Sequence, residues 1–399
     1  MSQSVLDFLA AGLTGSPWPL VLGWFLLVTQ LTIFAVTLYL HRSATHRAVD
    51  FHPVISHFFR FWTWLTTAMV TREWVAIHRK HHARCETDED PHSPQVYGIG
   101  RVLFHGVELY QQARKDPEIV AQFGAGVVDD RIERALYSPY PWLGPTLMAV
   151  IDILLFGAVG LAIWAIQMLW IPVMAAGVVN GLGHWWGYRN FETPDRSTNL
   201  SPWGLVIGGE ELHNNHHAFP SSARFSMRRH EFDIGWQVIR LLQALRLAKV
   251  LRVAPSLAER PNISVPDAET VRALVAHRFA IATQYFRTVI VPVLKDEMAR
   301  AGDSAQRLRG RLRRALMNDG RWLDESTRQR LQDWVAERPL LATVIEYRRR
   351  LHELTERSGR NTAAMREALA EWCAEAERSG IAVLQQFAQR LRGISLQPA

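Results

Sequence analysis

Two long stretches without lysine or arginine limit the folds that this chain can adopt. Residues 1–40 and 142–188 contain neither residue type. A helix that crosses a bilayer needs about 20 apolar residues, and residues 18–40 supply one such segment. The second stretch is long enough for a helical hairpin, which we divide into spans at 142–163 and 165–187. The sequence therefore predicts an all-α integral membrane protein with about three to four spans.

The apolar segment 53–72 is expected to lie along the membrane surface as an amphipathic helix. Histidine clusters flank it at residues 41–46 and 78–82. If the segment crossed the membrane, the two clusters would lie on opposite faces and could not form one site. With the N terminus outside, we expect residues 42–141 and 189–399 to be cytoplasmic, where their arginines fit the positive-inside rule.

The chain is interpreted as a membrane domain over residues 1–240 followed by a cytoplasmic helical extension over residues 241–399. In the extension, Leu340, Val344 and Leu351 recur at helical spacing, and charged residues occupy the other face. This pattern predicts a helix of a packed bundle and leaves the role of the extension open.

Charge and cysteine content exclude several classes of protein. The net charge of +7 could indicate a nucleic-acid partner, but the basic residues flank apolar stretches and coincide with no binding motif, so we expect none. Cys85 and Cys373 are far apart and lack Cys-x-x-Cys spacing. This spacing excludes a disulfide framework and a four-thiolate iron–sulfur cluster, and it fits a reducing compartment.

Three short clusters contain eight of the sixteen histidines. The eight are His41, His46, His78, His81, His82, His213, His216 and His217. The spacing i, i+3, i+4 places three imidazoles on one side of a helix, because each residue turns by about 100°. Eight imidazoles exceed the four ligands of a zinc ion but suit two ions with five or six ligands each. The clusters therefore predict a two-metal site, although imidazole alone does not distinguish iron from zinc.

Two Glu-x-x-His patterns, Glu89–His92 and Glu210–His213, are similar to those of soluble di-iron carboxylate bundles. Pro91 lies inside the first pattern, in a polar segment that is not expected to be helical. No soluble four-helix core surrounds either pattern, and we therefore do not interpret them as a carboxylate site.

The histidine clusters and their flanking residues resemble the membrane fatty-acid desaturase family, in particular bacterial members of its acyl-CoA Δ9 (stearoyl-CoA type) branch. The resemblance covers residues 18–235 and includes EWVAIHRKHHARCETDEDPHSP and GEELHNNHHAFPSSARFS. It extends to the segment Asn180-Gly-Leu-Gly-His184. The resemblance implies that His184 is a ninth histidine ligand and that Asn180 acts through a metal-bound water.

The resemblance also implies a distribution of the ligands over two iron ions in a cytoplasmic helical cap. The first ion would be held by His41, His46, His78, His81 and His216. The second would be held by His82, His184, His213 and His217, with Asn180 acting through water. Trp74 matches a family tryptophan at the bend of a substrate tunnel, and an aromatic anchor at the membrane interface is an equally acceptable interpretation.

The activity implied by the resemblance is an O2-dependent oxidoreductase reaction that introduces a cis double bond, at Δ9, into a long-chain acyl thioester such as acyl-CoA. An unactivated methylene has no acidic proton, so this reaction requires an oxidising metal centre rather than acid–base groups. The implied location is the inner membrane of a bacterial cell, in contact with membrane lipid, with the site on the cytoplasmic side.

The electrons are expected to come from a separate ferredoxin or flavoprotein, because the sequence has no flavin, nicotinamide, iron–sulfur or fused haem motif. A basic docking surface is expected near the clusters, formed by Arg79, Lys80, Arg84, Arg224, Arg228 and Arg229.

Two alternatives remain at this stage. A lipid or alkane hydroxylase shares the histidine clusters and differs in that the oxidised carbon receives a hydroxyl group instead of forming a double bond. A histidine-rich metal-binding membrane protein without enzyme activity would be expected to have more spans with polar residues inside them.

Overall fold

The computed structural model describes residues 3–300, 309–356 and 361–397. The chain forms two compact units. The first comprises Met1–Arg189 and Asp195–Ala254, and the second comprises Asn190–Pro194 and Pro255–Ala399. Both units are mainly helical, as predicted for the fold class.

The predicted division into domains at residue 240 falls inside a helix, Ile234–Ala244. The predicted extension also includes residues 301–308, 357–360 and 398–399, which lie outside the described residues. The functional division of the chain stays a prediction.

From residue 3 onward, the first unit contains eleven α-helices joined by short segments of other structure. Its helices are α1 (Gln3–Ala11), α2 (Trp18–Phe34), α3 (Pro53–Thr67), α4 (Thr71–Arg84), α5 (Pro94–Tyr97), α6 (Ile99–Ala113), α7 (Pro117–Phe123), α8 (Leu143–Phe156), α9 (Ala158–Ile171), α10 (His213–Ala218) and α11 (Ile234–Ala244). Segments with π-helical turns are Ala35–Thr45, Glu133–Tyr137 and Pro172–Val179, and Leu182–His184 is a 3₁₀ turn. The strands β1 (Val49–Phe51) and β4 (Ala248–Val250) pair antiparallel, whereas β2 (Trp203–Gly204) and β3 (Phe232–Asp233) pair parallel.

Two continuous helical stretches are long and apolar enough to cross a membrane, Trp18–Thr45 and Ala158–His184. The helix α8 is apolar but shorter. Within the described residues the structure therefore contains two candidate spans rather than the predicted three to four. The first predicted span, 18–40, is contained in the first stretch.

The predicted hairpin is present, but its turn lies at Gly157 instead of between residues 163 and 165. Gly157 has a φ of +61°, which favours glycine. A Cβ atom there would lie 2.7 Å from the carbonyl oxygen of Leu9 and 2.8 Å from the amide nitrogen of Gly12. The position of the turn is thus set by close backbone packing, which a uniformly apolar sequence does not reveal.

The helix predicted over residues 53–72 ends earlier, at Thr67. Ala68 adopts a left-handed conformation with a φ of 56°, and α4 begins at Thr71 after a short break. This break allows α4, which carries three histidines, to take its own direction. The position of α3 along a membrane surface stays a prediction.

A buried arginine fixes the first histidine segment in place. The guanidinium of Arg42 is fully buried and pairs with Asp233 at 3.0 Å. It also donates to the carbonyl oxygens of Ala223 and Gly208, and it lies 3.8 Å from the ring centre of Phe225. These contacts join the segment Ala35–Thr45 to the chain on both sides of the third histidine cluster.

The second unit has its own apolar core. Its helices are α12 (Ala268–Ala276), α13 (Arg278–Tyr285), α14 (Val291–Arg300), α15 (Arg309–Met317), α16 (Glu325–Ala336), α17 (Pro339–Glu356), α18 (Thr362–Arg378) and α19 (Ala382–Arg392), with a π-helical segment at Phe286–Ile290. The strands β5 (Ser256–Glu259) and β6 (Ile394–Gln397) pair antiparallel. The predicted helix after residue 338 is confirmed as α17, although Leu341 is buried and Leu340 is exposed.

Candidate metal centre

All nine predicted histidines meet in the interior of the first unit. The segment Ala35–Thr45 and its C-cap supply the first cluster, α4 the second, α10 the third, and the turn Leu182–His184 the ninth histidine. They are His41, His46, His78, His81, His82, His184, His213, His216 and His217. Two of these elements lie at or beside π-helical turns, which are frequent at functional sites.

Five of the histidines surround one position. The ligand atoms of His41, His46, His78, His82 and His216 lie within 4.8 Å of one another. The Nε2–Nε2 distance is 3.0 Å between His41 and His216, 3.2 Å between His46 and His78, and 2.9 Å between His82 and His216. Imidazole nitrogens about 2.1 Å from an ion, at right angles to each other, would be about 3.0 Å apart. The five rings therefore fit the ligand shell of one ion.

A second group of ligand atoms lies beside the first. His81, Cys85, His184 and His217 have ligand atoms within 4.8 Å of one another. The Nε2 atom of His213 lies 3.0 Å from that of His184, so His213 joins this group.

The structure exchanges two ligands relative to the predicted distribution. His82 lies with the first group and His81 with the second, the reverse of the expectation. The reason is helical geometry, because residues four apart on α4 differ by about 40° and adjacent residues by about 100°. His82 therefore shares a face with His78, and its Nε2 lies 3.1 Å from that of His78.

Four carboxylates hold four of the histidines through the Nδ1 atom. The pairs are Glu210 with His41 at 2.7 Å, Asp90 with His81 at 3.0 Å, Glu86 with His184 at 3.2 Å, and Asp195 with His217 at 3.0 Å. A carboxylate that accepts the Nδ1 proton leaves the Nε2 lone pair available and orients the ring, as is usual for metal-bound histidine. Sequence analysis assigned no role to these four residues, although Glu210 appeared there in a Glu-x-x-His pattern. Glu86, Asp90 and Glu210 follow or precede a histidine cluster by eight residues or fewer, whereas Asp195 is eleven residues from His184 and has no local signal.

The electrostatic environment keeps most of these imidazoles neutral. Burial, and then repulsion from neighbouring imidazoles, holds the pKa of His46, His78 and His82 well below 6.5. Burial also lowers the pKa of His217 to about 4, although Asp195 opposes this shift. The neutral form is the one that binds a metal ion.

The donor set fits a bound cation. The Nδ1 atom of His217 faces Asp195, and its buried Nε2 has no hydrogen-bond partner among the described residues. In the five-histidine group, Nε2 atoms face one another, and Nδ1 of His41 lies 2.7 Å from a carboxylate oxygen of Glu210. Such rings cannot all donate to each other, so a cation between them would satisfy lone pairs that otherwise carry a desolvation cost of about 1–3 kcal/mol each.

A cavity of about 540 Å³ opens against the first ligand group. His41, His78 and Glu210 lie at its wall, and most of the other lining side chains are apolar. Trp74 also lines the cavity and stacks on His78, with ring centres 4.9 Å apart and planes 8° apart. The structure thus places Trp74 beside both the cavity and a predicted ligand.

Two further residues line the cavity. The predicted water-holding residue Asn180 is one of them, at the end of the segment Pro172–Val179. His92, which sequence analysis treated only as part of a Glu-x-x-His pattern, is the other. It is buried and its ring centre lies 4.4 Å from that of His81.

Arg79, one of the basic residues expected on a docking surface, also holds the structure together, and its part in docking stays a prediction. Its guanidinium donates to the carbonyl oxygens of Ala44, Thr45, Phe123 and Ala125 at 2.8–3.2 Å. These bonds fix α4 against the segment that carries His46, and they use four of the five N–H donors of Arg79.

Comparison with known proteins identifies the family. A model of the family described as fatty acid desaturase matches residues 16–246, more than half of the chain. A model described as transposase matches residues 265–395, which is less than half of the chain and includes none of the histidine clusters.

Three curated relatives show the range of this similarity. The chain is 30% identical over 216 residues to sn-1 stearoyl-lipid 9-desaturase of Anabaena variabilis. The aligned region covers 53% of this chain and 75% of that protein. It is 30% identical to Delta-9 acyl-lipid desaturase 1 of Arabidopsis thaliana, over 57% of this chain and 73% of that protein. It is 32% identical to icosanoyl-CoA 5-desaturase of Limnanthes douglasii, over 53% of this chain and 59% of that protein. The chain therefore belongs to the fatty acid desaturase family, a family of membrane-associated oxidoreductases.

Proposed function

We propose that this protein uses O2 to introduce a cis double bond into a long-chain fatty-acyl substrate. The observation that carries the proposal is the position of the histidine centre, which forms part of the wall of a large, mainly apolar cavity. Ligand cavities of about 300–1,000 Å³ accommodate molecules of this size. A storage or transport site for metal alone would not require such a cavity.

Two iron ions are the proposed cofactor. The first position has His41, His46, His78, His82 and His216 as ligands, and the second has His81, His184, His213 and His217. Asn180 is proposed to contribute through a water molecule. When bound, the irons supply the O2-dependent oxidation of an unactivated carbon–hydrogen bond, which no acid–base side chain can perform.

The residues of the chain position the reactants. The carboxylates Glu210 and Asp90 hold the rings of His41 and His81 in fixed orientations. The apolar cavity walls exclude water and favour the methylene chain of the substrate. Trp74, which is in contact with His78, is proposed to fix the direction of the acyl chain beside the metal centre.

The proposed substrate is a long-chain acyl thioester such as acyl-CoA, with the double bond at Δ9. The names of the relatives support a fatty-acyl chain, since they mention both lipid-linked and CoA-linked substrates and both the 9 and 5 positions. The proposed donor is a separate ferredoxin or flavoprotein on the cytoplasmic side of a bacterial inner membrane.

Heterologous expression tests the proposal directly. The chain would be expressed in a host that lacks the activity, and the fatty acids would be analysed by mass spectrometry with double-bond location. We expect a new monounsaturated fatty acid that is absent with His216→Ala. Hydroxylated fatty acids would instead establish the hydroxylase alternative, and an unchanged profile despite a loaded metal centre would contradict the proposed substrate class.

A further inference from the structure

The chain from β2 to α10 exposes a group of large apolar side chains. Trp203, Leu205 and Val206 are 60%, 43% and 55% exposed. Residues 197–209, which include this group, contain no charged side chain. An exposed apolar patch marks a surface that another molecule covers. The position and the backbone of this segment indicate which kind of molecule that is.

The apolar loop, residues 203–209, packs against the first candidate span. A Cβ atom on Gly208 would lie 3.1 Å from Cγ2 of Ile33 and 2.6 Å from Cγ2 of Thr37. A helix needs about 20 residues to cross the hydrocarbon core of a bilayer. Counted from Trp18, where the span begins and which is 74% exposed, that length ends close to Thr37. The loop therefore lies at the level where the span leaves the hydrocarbon, on the side of the histidine clusters.

The backbone of the apolar loop forms hydrogen bonds within the protein instead of with water. The amide nitrogens of Val206, Ile207 and Gly209 donate to the carboxyl group of Glu211 at 2.7, 2.9 and 3.1 Å. Glu211 is itself 5% exposed. A loop that faces water can leave such amides to the solvent, whereas hydrocarbon offers them no acceptor. Satisfied amides together with exposed apolar side chains are what contact with lipid requires.

Two more exposed aromatic residues lie at the end of the other candidate span. Trp185 and Trp186 directly follow Ala158–His184 and are 51% and 67% exposed. Tryptophan is enriched where helices leave the hydrocarbon, because its ring is apolar and its N–H group is polar. Exposed tryptophan therefore occurs beside the second span at the end that carries His184, the end expected to face the cytoplasm.

We propose that Trp203, Leu205 and Val206 insert into the membrane, at the boundary between the head groups and the acyl chains. The occupant of this surface is the lipid bilayer, and no particular head group is required. The inserted residues would lie within the membrane surface, although residues 189–399 as a whole are expected to be cytoplasmic. Ile207, the next residue, is buried and lines the cavity, so the loop would separate the bilayer from the cavity. The inference rests on the candidate spans and not on the reaction of the metal centre.

Site-directed spin labelling tests the insertion. Val206→Cys would be labelled with a nitroxide in the purified full-length chain, which is placed in phosphatidylcholine nanodiscs. We expect the nitroxide to collide more often with O2, which concentrates in lipid, than with water-soluble chromium oxalate. Asp88→Cys is the matched control, because Asp88 is exposed and charged, and its label should show the reverse order. The parent chain treated in the same way gives the background from Cys85 and Cys373.

Leu205→Cys provides a second position if the first variant does not fold. Its label should also collide more often with O2 than with chromium oxalate. The reverse order at either folded position would place the loop in water and overturn the proposal. Dipolar broadening between the labels of two chains would assign the surface to a second copy of the chain and would overturn it as well. Because enzyme activity is not measured, a failure of the proposed reaction changes none of these outcomes.

Discussion

The two compact units differ in what they bury. The first unit buries charged and imidazole side chains, and Arg42, Asp233, His81 and His213 are fully inaccessible. The second unit buries a continuous apolar cluster that includes Trp372. The interior around the histidines thus consists of groups that are stable only in pairs or around an ion, beside apolar clusters such as the one that includes Leu38. The core of the second unit is mainly apolar and is stabilised by burial of apolar surface.

This difference determines how each unit should respond to substitution. Removing one member of a buried polar set leaves its partners without hydrogen bonds, so the loss of stability includes the cost of these unsatisfied partners. Removing an apolar side chain leaves a cavity whose cost is local. Substitutions at buried sites of the two units test this contrast.

The largest effect is expected for a histidine of the first ligand group. His216→Ala removes a ring whose Nε2 lies within 3.0 Å of those of both His41 and His82. We expect iron content to fall to one ion or fewer per chain. Product formation should fall below about 1% of the parent level. Even the loss of a residue that only hydrogen-bonds a metal ligand lowers metal affinity or activity by about 10–100-fold. Elemental analysis and fatty-acid analysis measure the two effects.

His230→Ala is the matched control, because His230 is an exposed histidine of the same region. It should keep both irons and full activity. Two irons with normal activity in His216→Ala would show that this residue is not a ligand and would remove the basis of the first group.

The next largest effect concerns the apolar core of the second unit. Trp372 is 1% exposed, and its indole nitrogen donates to the carbonyl oxygen of Tyr347 at 3.0 Å. Trp372→Ala should lower the free energy of unfolding of this unit by about 3–5 kcal/mol. Denaturant titration of the full chain measures this change. The iron content should not change, because none of the nine histidines belongs to this unit.

Leu340→Ala serves as the control. Leu340 is 42% exposed, so its replacement should lower the free energy of unfolding by less than about 0.5 kcal/mol. An equal decrease in the free energy of unfolding in the two variants, or loss of iron in Trp372→Ala, would contradict the contrast between the two interiors.

A smaller effect is expected for a carboxylate that orients a ligand. Asp90 accepts from Nδ1 of His81 at 3.0 Å and from the backbone amides of Glu86 and His92. Asp90→Asn keeps an oxygen for the amides but loses the charge beside His81. Metal affinity should fall about 10–100-fold, as measured by competition with a chelator.

Asp88→Asn, two residues away and exposed, is the corresponding control and should bind metal like the parent. If Asp90→Asn retains the parent affinity, the carboxylate contributes only to the loop and not to the metal site.

The histidines could be predicted from sequence because their chemistry appears in residue type and local spacing. The i, i+3, i+4 patterns on α4 and α10 identify ligand faces without knowledge of the rest of the fold. His184 and Asn180 have no such pattern, and only the family resemblance pointed to them. The division of the histidines between the two groups could not be predicted, because it depends on how four separate elements meet.

The supporting groups were harder to predict, since their roles depend on tertiary contacts. Glu210 precedes His213 by three residues but contacts His41, which is distant in sequence. Arg79 lies next to His78, a predicted ligand, which suggested a docking role, yet its guanidinium donates to four backbone carbonyl oxygens. The early turn at Gly157 likewise reflects a close backbone approach that hydropathy does not report.

The smallest effect is expected at the surface of the first unit. Arg228 and Arg229 are exposed and lie between the third histidine cluster and α11. If an acidic ferredoxin or flavoprotein docks there, reversing both charges with Arg228→Glu and Arg229→Glu should slow turnover about threefold to tenfold at low salt, because rim charges act mainly on association rate. The effect should shrink near 0.15 M salt, where the screening length is about 8 Å. Iron content should stay the same.

The control reverses two exposed arginines of the second unit, with Arg311→Glu and Arg313→Glu, which changes the net charge equally. This pair should leave turnover unchanged if the donor recognises a local surface rather than the overall charge. Equal slowing by both pairs would assign the effect to net charge alone. Full turnover of the purified chain with NADPH and no protein donor would contradict the requirement for a separate electron donor. In that case any slowing by Arg228→Glu and Arg229→Glu would need an explanation other than docking of a donor.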